Sequence, residues 1–134
     1  MKRYLVLENG NVYEGEAMGA EGSVISEIVF TTAMTAYLET LTDPSYKGQA
    51  VVQTFPLIGN YGIITPDMES DKVNVSGYIV REVCDLPSNF RCEMTLDEYL
   101  KSQGVVGIYD VDTREITQHI RENGVMNAKI VSSL

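Results

Sequence analysis

The sequence predicts an α/β domain in which a β-rich N-terminal half precedes an αβαβ segment. Three observations carry this prediction: a β-hairpin signature near the start, β-branched runs in the first half, and two helix-start signals in the last third, each followed by a short apolar run. The chain has 134 residues, of which 44% are hydrophobic and 22% charged. That size and composition suit one globular domain, and we expect residues 1–134 to form it.

The first element predicted is a hairpin. Residues 4–7 and 12–16 flank a short polar segment that contains Asn9-Gly10. An Asn-Gly pair accommodates the two positive φ angles of a type I′ turn, so we expect that turn here.

The middle of the chain is predicted to hold strands, one short helix and one long loop. Strands are expected over residues 24–31, 49–55 and 73–83, and a loop over residues 56–71. The helix is predicted by apolar residues at i, i+3, i+4 and i+7, namely Met34, Tyr37, Leu38 and Leu41. Pro44 ends it, because the residue before a proline is disfavoured in the α region.

The last third carries two helix-start signals. Thr95 and Glu98 form a capping box, and Asp112 and Glu115 repeat that spacing. Helices are therefore predicted from these points to about residues 104 and 124, with strands over residues 105–109 and 128–131.

Charge and hydropathy exclude some partners. The net charge is −9, which disfavours nucleic acid and anionic membranes, and no apolar run approaches the length of a membrane helix. We therefore expect a cytoplasmic protein. Residues 1–71 carry −7 of the charge. That excess is either a solvated acidic face or a surface for a basic partner.

The residues that could carry catalysis or bind a metal are few. His119 is the only histidine, and a structural role is favoured over a general-base role. Cys84 and Cys92 lie in no nucleophile or zinc motif and are expected as free thiols. Asp110 and Asp112 could share a metal, although Asp112 is also the expected helix cap. Residues 67–71 hold three acids, either solvated or able to bind a cation.

Two loops contain more rigid and hydrogen-bonding residues than connectors need. Residues 42–46 read Thr-Asp-Pro-Ser-Tyr, and residues 55–62 read Phe-Pro-Leu-Ile-Gly-Asn-Tyr-Gly. Such mixtures are typical of binding loops, although ordinary turn chemistry also explains them.

These loops carry a resemblance to a known family. Together with residues 28–39, 88–91 (Ser-Asn-Phe-Arg) and 110–114 (Asp-Val-Asp-Thr-Arg), they resemble the N-terminal domain of the carbamoyl-phosphate synthase small subunit. The motifs keep the family's order over nearly the whole chain. The family commonly has glycine at position 36, glutamine at 38, tyrosine at 55 and isoleucine at 111, where this chain has Ala36, Leu38, Phe55 and Val111.

The resemblance implies a swivelling β/β/α domain that is itself non-catalytic. In the intact enzyme a following glutamine amidotransferase domain, which we expect to be absent from this segment, hydrolyses glutamine. The large subunit uses the ammonia with bicarbonate and ATP, and the carbamoyl phosphate serves arginine and pyrimidine synthesis. This segment is expected to hold no cofactor, since ATP and metal ions belong to the large subunit. Its expected partners are the large subunit, the amidotransferase domain and glutamine.

Three residues are singled out. Ser45 matches the family's glutamine-contacting serine. Phe90 and Arg91 are a candidate part of the surface that docks to the large subunit, because aromatic and arginine side chains are common interface anchors. A core position for Phe90 beside a solvated Arg91 is the alternative. Two other functions stay open: a free-standing small-molecule binding or phosphotransfer module on the same fold, and a generic acidic protein-binding domain.

Overall fold

The computed structural model describes residues 1–32, 41, 44–54, 57–58, 73–83 and 96–133. Within those residues lie nine strands and two α-helices. The strands are β1 (Lys2–Leu7), β2 (Val12–Gly19), β3 (Val24–Thr31), β4 (Ala50–Gln53), β5 (Leu57–Ile58), β6 (Gly77–Ile79), β7 (Glu82–Val83), β8 (Val106–Tyr109) and β9 (Asn127–Val131). The helices are α1 (Leu96–Gln103) and α2 (Thr113–Asn123), and a short 3₁₀ helix spans Pro44–Tyr46.

Seven of the strands form one closed sheet in the order β1-β2-β8-β6-β4-β3-β9. β9 pairs antiparallel with both β1 and β3, which closes the sheet. The neighbours β3, β4, β6 and β8 run parallel to one another. β5 and β7 form a separate two-stranded parallel sheet. The predicted β-rich start and αβαβ end are thus confirmed.

The middle segment differs from its prediction. The expected strand over residues 73–83 is two short strands, β6 and β7. The first begins only at Gly77, because Asn74 bonds elsewhere: its N–H donates to Leu41 O, and its carbonyl accepts from Gly48 N–H. The expected loop over residues 56–71 contains β5. Of the predicted helix over residues 34–41, only Leu41 falls within the described residues, and it is fully buried.

The first hairpin is confirmed, but its turn is not type I′. Only Gly10 has a positive φ, of 96°, whereas Asn9 does not. Gly10 N–H donates to Leu7 O, and Leu7 N–H donates to Asn11 O. This is a three-residue loop that ends on a left-handed glycine, and the Asn9 side chain stabilises it by accepting from Asn11 N–H at 3.1 Å.

Both faces of the parallel strands are buried. On β4, Val52 belongs to one apolar cluster with Ile116 of α2, while Val51 belongs to a second cluster with Leu100 of α1. Alternate residues of a strand point to opposite faces, so a continuous apolar run supplies side chains to both clusters. Among the described residues no helix is long and apolar enough to cross a membrane.

Helix α2 begins and packs as its sequence predicts. The Asp112 carboxylate caps it by accepting from Glu115 N–H at 3.1 Å. On its solvent side, Tyr13 donates to Glu115 Oε1 at 2.9 Å, and the His119 ring lies against Tyr13. Burial, reinforced by the hydrogen bond to Glu115, raises the pKa of Tyr13. These contacts hold α2 against the first hairpin.

Arg3 is an unusual buried residue of β1. Its side chain shares the inward face with Leu5 and is 2% exposed. Arg3 Nη1 donates to both Met18 O and Gly107 O, each at 2.8 Å. Because Met18 and Gly107 are paired across β2 and β8, one guanidinium joins three strands. Burial lowers the pKa of Arg3, while the charge of Asp97 opposes that shift.

Candidate functional site

The candidate site is a cleft at the carboxyl ends of the parallel strands. Thr32, Thr54 and Arg81 follow the ends of β3, β4 and β6, and α2 packs beside them. The cleft has a volume of about 460 Å³ and is lined by Thr32, Thr54, Arg81, Thr113, Arg114, Thr117, Gln118 and Arg121. We call it the arginine cleft. Parallel strands commonly place ligands outside their carboxyl ends, so its position is that of a binding site.

Three arginines give this cleft a positive charge. Arg81, Arg114 and Arg121 line it, and all three are exposed. Arg121 lies over the Phe30 ring, 5.0 Å from its centroid, a contact that restrains its guanidinium. In the described part of the chain neither Arg81 nor Arg114 forms an ion pair. None of the described lining residues is acidic, so the cleft attracts anions on a protein of net charge −9.

The start of helix α2 forms one wall. Thr113 and Arg114 are its first two residues, where the unpaired N–H groups favour negative charge. Thr117, one turn later, is buried, and its hydroxyl lacks a hydrogen-bond partner within the described ranges. That hydroxyl oxygen has almost no accessible surface, so it is not open to the cleft although other atoms of Thr117 line it.

The nearby carboxylates are engaged away from the cleft. Asp112 caps α2, and Glu115 accepts from Tyr13 on the opposite side of the helix. His119 contacts Asn9, with 3.3 Å between Asn9 Nδ2 and His119 Nδ1, and lies 3.7 Å from Glu115 Oε1 through Nε2. His119 therefore packs against the hairpin and lies outside the cleft lining.

Ser45 lies at the other end of the parallel strands. It is the middle residue of the 3₁₀ helix Pro44–Tyr46, is exposed, and precedes the amino end of β4. Two backbone hydrogen bonds hold this turn, from Lys47 N–H to Pro44 O at 3.2 Å and from Gln49 N–H to Tyr46 O at 2.9 Å. Because β4 runs between them, Ser45 and the arginine cleft are separate sites.

Several predicted site residues are outside the described residues. They are Phe90, Arg91, Cys84, Cys92 and the acids at 67–71, together with residues 55–56 and 59–62 of the second loop. Asp110 is described and has a left-handed φ of 65° at the end of β8, and its neighbour Asp112 acts as a helix cap. No group of three or more metal-binding side chains occurs among residues that are described.

The arginine cleft is not predicted by any motif of the sequence. Its residues come from positions 32, 54, 81 and 113–121, and only the order of the parallel strands brings them together. One local signal does point to it. Arg114 and Arg121 are seven residues apart on α2, a spacing that places both on one helix face.

The fold is that of an α/β domain with an exposed serine turn and a positively charged cleft at opposite ends of its parallel strands. Residues 5–130 match the family model described as carbamoyl-phosphate synthase small chain, CPSase domain. The chain therefore belongs to the carbamoyl-phosphate synthase small chain family, as the resemblance predicted.

Curated relatives agree with that assignment. The carbamoyl phosphate synthase small chain of Syntrophotalea carbinolica is 52% identical over 134 residues, which cover 100% of this chain and 35% of that protein. The small chain of Archaeoglobus fulgidus is 55% identical over 130 residues, which cover 97% of this chain and 36% of that protein. The pyrimidine-specific small chain of Bacillus subtilis is 53% identical over 133 residues, which cover 99% of this chain and 36% of that protein. The chain thus spans about a third of the length of these relatives.

Proposed function

We propose that this chain is the non-catalytic N-terminal domain of the small subunit of a glutamine-dependent carbamoyl-phosphate synthase. The observation that carries the proposal is the family match over residues 5–130, together with relatives named as small chains of which this chain spans about a third. In this proposal residues 1–134 form one domain of the swivelling β/β/α type and work in the cytoplasm. A glutamine amidotransferase domain follows, and a large subunit with ATP and metal ions makes carbamoyl phosphate for arginine and pyrimidine synthesis.

The first proposed role is to frame the glutamine site through Ser45. Its turn is exposed and held by backbone hydrogen bonds, so Ser45 is held at a defined place on the surface. The turn leads directly into β4, whose residues are all buried. A rigid strand behind an exposed polar turn suits a contact made to a ligand held mainly by a neighbouring domain.

Ser45→Ala in the complete two-subunit enzyme is expected to lower glutamine-dependent synthesis about two- to tenfold, since one neutral hydrogen bond is worth about 0.5–1.5 kcal/mol. Synthesis from added ammonia should be unchanged, because it bypasses the glutamine site. Steady-state kinetics with each nitrogen donor measure both rates. Ser133→Ala, at an exposed serine of another segment, is the control. An equal loss with both donors would contradict the role of Ser45.

The second proposed role is docking to the large subunit, with Phe90 and Arg91 as anchors. Support comes from the small-chain names of the relatives, which imply a larger partner, and from the tendency of aromatic and arginine residues to dominate interfaces.

The docking role predicts that the 134-residue chain binds purified large subunit at micromolar concentration. Replacing Phe90 and Arg91 together by alanine should weaken binding by about tenfold or more, as expected for interface anchors. Sedimentation velocity or biolayer interferometry would measure the affinities. Lys129→Ala, which also removes one exposed cation, serves as the matched control. If the double variant binds as well as the unaltered chain, these two residues are not anchors.

A further inference from the structure

We propose that the arginine cleft binds a small, multiply charged oxyanion, either a phosphate group or a dicarboxylate. This site is separate from Ser45 and does not depend on the glutamine or docking roles. It rests on the convergence of Arg81, Arg114 and Arg121 at one cleft whose described lining contains no carboxylate.

The charge arrangement favours an anion over a neutral ligand. The chain has only ten basic residues and a net charge of −9, yet three of the ten line this one cleft. Among the described lysines, Lys2 pairs with Glu16 at 2.7 Å and Lys101 with Asp97 at 3.1 Å, whereas the exposed Lys47 and Lys129 form no ion pair. Arg81 and Arg114 have no such partner in the same set of residues. Unpaired guanidinium groups that face a common space repel each other unless an anion lies between them.

The geometry favours an oxyanion in particular. Guanidinium groups offer forked N–H donors that match two oxygens of a phosphate or carboxylate. The first turn of α2 adds a favourable partial charge, although the Asp112 carboxylate already accepts from Glu115 N–H there.

The size favours a small ligand. A volume of about 460 Å³ lies within the range of clefts that hold small molecules. The threonines at positions 32, 54 and 113 and the amide of Gln118 add short polar side chains around the arginines. Such groups orient a ligand by hydrogen bonds after the charges have attracted it.

The test is isothermal titration of the 134-residue chain with inorganic phosphate and, separately, with succinate, each at constant ionic strength set by chloride. We expect saturable one-site binding of at least one of them. Arg81→Gln combined with Arg114→Gln should weaken it by about tenfold or more, because each removes a charge-assisted contact. Lys129→Gln, which removes an exposed cation outside the cleft, should change it less than about twofold. If phosphate binds more tightly than succinate, the ligand of the cleft carries a phosphate group. If succinate binds more tightly, the ligand is a dicarboxylate.

A second variant separates binding from folding. Arg114→Lys keeps the charge at an exposed position but loses the forked N–H donors, so the anion-free chain should melt at about the same temperature. The rise in melting temperature caused by the preferred anion should nevertheless be smaller than in the unaltered chain. Absence of saturable binding of both anions would overturn the proposal, as would equal binding by the unaltered chain and the double arginine variant.

Discussion

Arg3→Met is expected to lower the free energy of unfolding by about 3 kcal/mol, because it removes two buried hydrogen bonds that a charged group donates. The acceptors are the carbonyl oxygens of Met18 and Gly107, each 2.8 Å from Arg3 Nη1. Methionine fills much of the same space, so the loss reports mainly the missing hydrogen bonds and less a cavity. Chemical denaturation followed by circular dichroism measures it.

The matched control for that variant is Lys2→Met at the preceding residue. Lys2 pairs with Glu16 at 2.7 Å, but its side chain is 55% exposed, and a surface pair of this kind contributes little. Loss of a cation one position earlier should therefore alter the stability much less than Arg3→Met does. Comparable losses at both positions would show that the three-strand junction at Arg3 is not what stabilises this end of the sheet.

Gly19→Ala is expected to destabilise the chain by about 3 kcal/mol, since backbone strain and a steric clash act together. Gly19 has a φ of 77°. A Cβ there would overlap the Val105 carbonyl oxygen and lie 2.9 Å from Leu100 Cβ. The Gly19 N–H also donates to Asp97 Oδ1 at 2.7 Å, so the strand end cannot move away without losing that bond. The melting temperature and the denaturation midpoint should both fall.

Gly104→Ala serves as the control without a steric clash. Gly104, which follows α1, has a similar φ of 71°, but no described atom lies within 4 Å of the position that an alanine Cβ would occupy. Only the cost of a left-handed alanine remains, about 1 kcal/mol. A loss at position 19 no larger than that at position 104 would mean that β2 and β8 separate easily where Val105 approaches Gly19.

Local sequence signals predicted the elements that depend on local chemistry. Asp112 caps α2 as its spacing from Glu115 indicated. The hairpin at Asn9-Gly10 is present, but its turn is not the predicted type I′. The loop has three residues, whereas a type I′ hairpin has two. In the structure Leu5 and Leu7 of β1 are buried, and the same alternation along the strand buries Arg3 as well.

Features that depend on strand order were not predictable in the same way. The arginine cleft joins residues 32, 54, 81 and 114, which are brought together by the parallel neighbours β3, β4 and β6 and by α2. No local pattern specifies that order. Ser45, by contrast, was singled out by the resemblance of its loop to the family, and the structure adds that its turn is exposed and lies at the opposite end of β4.

The closure of the sheet by β9 has a consequence for how the chain folds. β9 holds residues 127–131, and its partners are β1 at the start of the chain and β3 shortly after it. Contacts so distant in sequence form late and slowly, because a long stretch of chain must be ordered before they are made. During synthesis, one edge of β1 and one edge of β3 lack their partner strand until β9, which ends at residue 131, has left the ribosome. That interval is when this domain is most exposed to aggregation and to the binding of chaperones.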